Sequence, residues 1–339
     1  MIPSRSYHVP IESITTTIMI DTSDLGVTHE TASIDTHLSE DISLPTYFNH
    51  LGRVDQPLSD TDVPFLFHIP RSGGSTLNNI MSSCLGLVGA TDIGTWETSS
   101  KNVDTEEVAS NEVKVLFSKD GSRFINFDFS TVEGIHQIHK INPDILSQGS
   151  AQYLSTPHIH LATELLFSPT SKGRLFTILR NPIDRFLSIY HHIHANWEST
   201  HVNSSSATSL QHWMQMNYEF EDNSLTRYLS NEFIEPLTRE NNLEIAKKVL
   251  KNYCLIGLLE RKEETWARLE SYFGWKTQGQ WTEDCKERYL EWGWANKHSH
   301  ASIDPDSRVY ELLLERNKMD MDLYQFAVEL FQEQSSLVK

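Results

Sequence analysis

Phe65-Leu66-Phe67-His68-Ile69-Pro70-Arg71-Ser72-Gly73-Gly74-Ser75-Thr76 decides the fold of this 339-residue chain. Phe65 to Ile69 is an apolar run between Pro64 and Pro70, the pattern of a strand covered on both faces. Gly73 and Gly74 then allow a sharp turn and leave no side chain in the way of a ligand. Ser75 or Thr76 is placed to cap a following helix, whose Leu77, Ile80, Met81 and Cys84 recur at i, i+3, i+4 and i+7. The unpaired amides, the positive helix end and Arg71 converge on one spot that suits a phosphate or sulfate. A nucleoside triphosphatase loop would need G-x-x-x-x-G-K-[ST], and here no lysine follows the second glycine.

A second unit of the same kind lies about 110 residues further on. Leu175-Phe176-Thr177-Ile178-Leu179-Arg180 reads as a buried strand, and Asn181-Pro182-Ile183-Asp184-Arg185-Phe186-Leu187-Ser188-Ile189-Tyr190 opens a helix. Asn181 suits the N-cap, Pro182 the first helical position, and Asp184 the positive helix end. Ser188 follows Asp184 by one turn, so it projects near Arg180. An arginine fork and a hydroxyl there can hold one more phosphate.

The first segment resembles the phosphosulfate loop of sulfotransferases, P-K-T-G-G-T, and the second resembles their 3′-phosphate motif, L-R-[DN]-P-x-x-R-x-x-S-x-Y. Arg180 and Ser188 match the phosphate ligands of that motif and Arg185 its internal arginine. Later blocks, Asp222 to Leu229, Leu255 to Arg261 and Asp320 to Ala327, look like those of Golgi-type carbohydrate sulfotransferases, a family that includes heparan sulfate 2-O- and 6-O-sulfotransferases. The likeness runs from about Pro64 to Phe331. It implies a P-loop-like parallel sheet flanked by helices with a mostly helical C-terminal part. It further implies 3′-phosphoadenosine 5′-phosphosulfate (PAPS) as donor, a carbohydrate hydroxyl as acceptor and no metal. On this reading Arg71, Ser72, Gly73, Gly74, Ser75, Thr76, Arg180 and Ser188 bind the donor. Lys297, in the late loop Ala295 to Ser299, helps to close over it.

The acceptor hydroxyl must lose a proton, and histidine is the usual base. His158-Ile159-His160 lies about 20 residues before Arg180 and resembles the H-x-H of the 2-O-sulfotransferase-like enzymes. The resemblance implies His160 as base, with His158 in reserve. Arg71 stands where the family has lysine. Arginine keeps its charge and forks onto two oxygens, so it stabilises charge without donating a proton. That departure motivates an alternative, a non-catalytic relative that binds nucleotide or sulfated glycan.

The net charge of −18 argues against a nucleic-acid partner and against a highly sulfated acceptor. Residues 1–60 hold nine acidic residues against Arg5 and Arg53, a net of −7, and read as a poorly structured leader before a sulfotransferase domain at 61–339. Phe124 to Phe129 alternates like a strand, Tyr253 to Leu259 is another, and a late helix over 307–332 breaks near Asn317. Cys84 and Cys254 sit in apolar patterns and read as buried thiols, and three cysteines allow one disulfide with an odd thiol left over. No stretch approaches the ~20 apolar residues that span a bilayer. The family's compartment is the Golgi lumen, although no signal or anchor is visible in this sequence.

Overall fold

The computed structural model describes residues 42–92, 112–118, 121–198, 210, 222–233, 240–276, 279–293 and 303–337. Among them, seven strands form one sheet: β1 (Val63–Phe67), β2 (Val88–Ala90), β3 (Val115–Phe117), β4 (Arg123–Ile125), β5 (Tyr153–Thr156), β6 (Gly173–Leu179) and β7 (Leu255–Leu258). Their order is β3-β4-β2-β5-β1-β6-β7. All neighbours run parallel except β3 against β4.

Parallel neighbours need crossovers, which helices supply. These are α1 (Gly74–Asn79), α2 (Val132–Ile141), α3 (Ile159–Leu166), α4 (Pro182–Glu198), α5 (Ser224–Ser230) and α6 (Glu240–Tyr253). After β7 the chain is helical: α7 (Lys262–Phe273), α8 (Gln280–Arg288), α9 (Arg308–Arg316) and α10 (Lys318–Glu333), with Asn317 between the last two. Helices on both faces explain why β1 reads as an unbroken apolar run. Phe65 and Phe67 enter a core with Ile135, Val249 and Leu323, while Leu66 joins Leu77, Phe176 and Trp266 on the other side. Each such side chain contributes about 1.5–3 kcal/mol by leaving water.

The two expected strand–loop–helix units are present side by side, since β1 pairs with β6 from Val63↔Gly173 to Phe67↔Thr177. Leu77, Ile80, Met81 and Cys84 are all buried, as their spacing requires. The helix of Gly74–Asn79 continues as one π-helical segment, Ile80–Cys84, which carries Cys84 to the far end. There Cys84 forms a disulfide with Cys285 of α8, 201 residues away, and Cys254 remains a buried thiol. Cys84 is therefore half of a cross-link and not a thiol.

Two further expectations shift. Strand β4 ends at Ile125; at Asn126 the backbone amide still bonds the Lys114 carbonyl, while the side chain bonds the backbone at Lys114 and Glu112. Phe127 and Phe129 stay buried without being strand residues. The domain also begins earlier than residue 61. Thr46–His50 is a 3-10 turn whose Phe48 is buried, and Leu51 bridges to Gly173 at the start of β6. Arg174, itself buried, donates to Asp62 at 2.7 Å and to the carbonyls of Arg53, Gln56 and Pro57. Averaging over 1–60 hid this apolar, tightly bonded end; residues 1–41 lie outside the described ones.

In the helical part, α5 and α10 cap one another. The Asp320 carboxylate accepts from the amides of Leu225 and Thr226 and from the Thr226 hydroxyl. The Asn223 side chain accepts in turn from the amides of Met319 and Asp320. Each helix start is thus satisfied by a side chain from the other.

Candidate active site

The loop after β1 is held in a fixed shape by its backbone. Arg71 has φ 67 and Gly73 φ 97, both left-handed, a conformation that a non-glycine residue holds at a cost of about 1–3 kcal/mol. Gly73 stands at the N-cap of α1 without a capping side chain, so Ser75 and Thr76 lie inside the first turn and do not cap it. Gly74 answers a different need. A Cβ there would come within 2.2 Å of the His68 Cδ2, so only glycine lets the imidazole lie against the helix start. The Ser72 hydroxyl is buried and has no hydrogen-bond partner among the described residues.

The second loop meets the first directly. Asn181 caps α4 by accepting from the amides of Ile183 (2.9 Å) and Asp184 (3.4 Å). That start places Ser188, fully buried, where it accepts from the Arg71 Nε at 3.1 Å. Arg180 donates through Nη1 to the Arg71 carbonyl at 3.3 Å. Arg71, Arg180 and Ser188 therefore share one cleft at the C-terminal ends of β1 and β6. Arg185 lies outside it, buried and bonded to the Ser224 hydroxyl, where it joins α4 to α5.

The electrostatics of this cleft are those of an anion site. Burial, then the neighbouring Arg180, lower the Arg71 pKa. Burial also lowers that of Arg180, opposed by Asp184 and Glu260. Neither guanidinium forms an ion pair within 4 Å among the described residues. Two arginines that face each other without a bonded carboxylate gain from a bound polyanion. The donor set of Arg71, Ser72, the glycine turn, Arg180 and Ser188 fits a nucleotide with phosphate at both ends. Lys297 lies outside the described residues.

The histidines sort differently from the expectation. His160 is buried in α3 with both ring nitrogens in use. Its Nε2 donates to the Leu229 carbonyl at 2.9 Å, so its Nδ1 accepts from the Tyr47 hydroxyl at 2.8 Å. Burial holds the ring neutral, against the Leu229 bond. A ring with no lone pair to offer serves packing, and the structure does not bring His160 to the cleft. His158 donates its Nε2 proton to the Ser130 carbonyl at 3.0 Å and keeps a free Nδ1. His68, within the fold-deciding stretch itself, was hidden by reading the run 65–69 as strand only. It stands just past β1, its backbone amide on the Thr156 carbonyl at 3.1 Å. Its pKa is lowered by burial, against the carboxylate of Asp92.

Comparison with known proteins agrees with this geometry. The model of the sulfotransferase family matches residues 58–327, a span that contains both loops. Heparan-sulfate 6-O-sulfotransferase 2 of Gallus gallus is 23% identical over 322 residues, 83% of this chain and 70% of that protein. Heparan-sulfate 6-O-sulfotransferase 1-B of Danio rerio is 27% identical over 199 residues, 49% of this chain and 46% of that protein. Heparan-sulfate 6-O-sulfotransferase 2 of Danio rerio is 23% identical over 319 residues, and the match spans 60% of its length. With the paired loops in one cleft and a family match over most of its length, the chain belongs to the sulfotransferase family.

Proposed function

We propose that this protein transfers a sulfuryl group from PAPS to a hydroxyl of a carbohydrate acceptor. The observation that carries the reading is the convergence of Arg71, Arg180 and Ser188 at the ends of β1 and β6. The loop from Arg71 to Thr76 would hold the 5′-phosphosulfate, with backbone amides and the Ser72 hydroxyl donating to its oxygens. Arg180 and Ser188 would hold the 3′-phosphate. Ser188 accepts from Arg71 and still has its own hydroxyl proton to donate to a phosphate oxygen. Arg71 keeps its charge near the breaking bond, so it stabilises the departing phosphate without supplying a proton.

The names of the relatives favour a glycan as acceptor. A net charge of −18 favours one of low charge density, since a negative field slows the approach of polyanions. The buried Cys84–Cys285 bond suits an oxidising compartment, as the Golgi lumen of the family resemblance would be. Among the described residues, no helix is long and apolar enough to cross a membrane.

Calorimetry with 3′-phosphoadenosine 5′-phosphate (PAP), followed by labelled-sulfate transfer from PAPS to neutral and sulfated glycans, tests the reading. Binding of PAP and label on at least one glycan are expected. A protein that fails to bind PAP, or binds it no better than AMP, would sink it.

A further inference from the structure

We propose that Glu260 is a positioning residue of the nucleotide site. With Tyr324 it forms a strut that fixes the loop carrying Arg180, and so sets the preference for a nucleotide with a 3′-phosphate. This rests on the sulfotransfer reading above, in which Arg180 and Ser188 hold that phosphate. Glu260 acts through Asn181 and not on the nucleotide itself.

The strut begins where the sheet ends. Strands β6 and β7 pair as far as Leu179↔Leu258. Asn181 and Glu260 each lie two residues beyond that pair, Glu260 in the 3-10 turn Leu259–Arg261. There a side chain takes the place of the next rung, as the Asn181 amide donates to Glu260 Oε1 at 3.2 Å. The other oxygen, Oε2, accepts from the Tyr324 hydroxyl of α10 at 3.0 Å. Burial, and then the charges of Glu260 and Asp184, raise the Tyr324 pKa, so its hydroxyl stays protonated and remains a donor. One carboxylate thus ties the nucleotide loop to the C-terminal helix.

What it holds is the root of Arg180. The guanidinium is bonded to the Arg71 carbonyl, and the amide of the next residue is bonded to Glu260. The Asn181 side chain meanwhile caps α4. A long side chain delivers its fork to one place only when its main chain is fixed. The same helix reaches α4 by a second route, one turn earlier. Asp320 holds the start of α5, whose Ser224 hydroxyl bonds Arg185.

The charge of Glu260 works in the opposite sense. Glu260 and Asp184 both act on Arg180, and a carboxylate beside a phosphate site repels the phosphate. Any benefit of Glu260 to binding therefore comes from its hydrogen bonds, and substitution separates the two contributions.

Glu260→Gln and Glu260→Ala remove the same charge, and only glutamine keeps an acceptor oxygen for the Asn181 amide. Glu260 is exposed, so both variants should fold. Calorimetry on the full chain compares PAP with AMP, which differ only in the 3′-phosphate. Glu260→Gln should keep the wild-type preference for PAP or raise it up to about threefold, an excess that fades in high salt. Glu260→Ala should lose about tenfold of that preference relative to Glu260→Gln, with AMP affinity within about twofold. Tyr324→Phe, which keeps the ring, should lose about threefold. In transfer assays the loss should appear in the KM of PAPS and leave kcat near wild type, a split that lowered stability alone would not produce. An equal preference in Glu260→Ala and Glu260→Gln, with a wild type that discriminates, overturns the proposal and leaves the Arg180 assignment standing. A wild type that binds PAP no better than AMP removes the 3′-phosphate site itself, and the strut's role with it.

Discussion

His68 follows β1 and His160 stands in the helix after β5, the strand paired with β1, and burial lowers the pKa of both. Their nitrogens live in different surroundings. His160 is clamped between Tyr47 and Leu229, residues 113 positions before it and 69 after it, and its ring packs edge-on against Phe48. His68 touches the glycine of an anion loop and carries no ring hydrogen bond among the described residues. The first arrangement spends both polar atoms on holding the chain together. The second leaves them for something that is not part of the chain. What separates these two histidines is whether their ring nitrogens are in use, and neither burial nor distance from a motif reports that.

The contrast can be broken most easily at His160. Replacing it with alanine should lower stability by about 2–4 kcal/mol, since it opens space in the core and strands the Leu229 carbonyl. Transfer per folded molecule should stay near wild type. Urea titration with activity normalised to the folded fraction reads both, and a loss of turnover beyond tenfold in the folded protein would return His160 to the chemistry.

On the loop side the expected pattern is the reverse. Arg180→Ala should weaken PAP binding by about 1.5–3 kcal/mol, the range for a hydrogen bond to a charged group, and leave unfolding almost unchanged. Adenosine 5′-phosphosulfate, which lacks the 3′-phosphate, should lose much less. Equal losses for the two nucleotides in calorimetry would remove Arg180 from the 3′ end.

A smaller and sharper measure comes from protons. Burial lowers the pKa of His68, His158 and His160 below the ordinary histidine value of 6.5. The folded state then binds fewer protons than the unfolded one, so stability is fully present above pH 6.5 and is lost as pH falls below it. Each such histidine adds at most ~1.4 kcal/mol per pH unit to that slope. His160→Gln should flatten the slope of unfolding free energy between pH 6.5 and the acid side by up to that amount. An unchanged slope would show that His160 titrates alike in the folded and unfolded chains.

The sequence showed the two strand–loop–helix units because their signals are local. Phe65 to Phe67 is flanked by prolines, and Asn181 caps its helix from two and three residues away. The misreadings share a cause, which is partners distant along the chain. Phe124 to Phe129 alternates like a strand, but the pairing stops at Asn126, whose side chain adds bonds to backbone 12 and 14 residues back. Cys84 sits on an apolar helix face like a thiol, yet its partner is 201 residues away. Tyr47 and Phe48 were diluted in an acidic, Ser/Thr-rich composition. His160 was chosen for its spacing from Arg180, and spacing does not show that Tyr47 and Leu229 fill its ring.

The mutual capping of α5 and α10 has a consequence for how the chain is made. The amides of Leu225 and Thr226 wait for a carboxylate 94 to 95 residues further on. Until Asp320 leaves the ribosome, α5 has no cap from α10, and in return Asn223 has no amides of Met319 and Asp320 to accept. The helix that offers the Leu229 carbonyl to His160 and the Ser224 hydroxyl to Arg185 therefore settles last, although strands on both sides of it were synthesised long before. The nucleotide loops are complete early, and the clamp around them closes only when the C-terminal helix arrives.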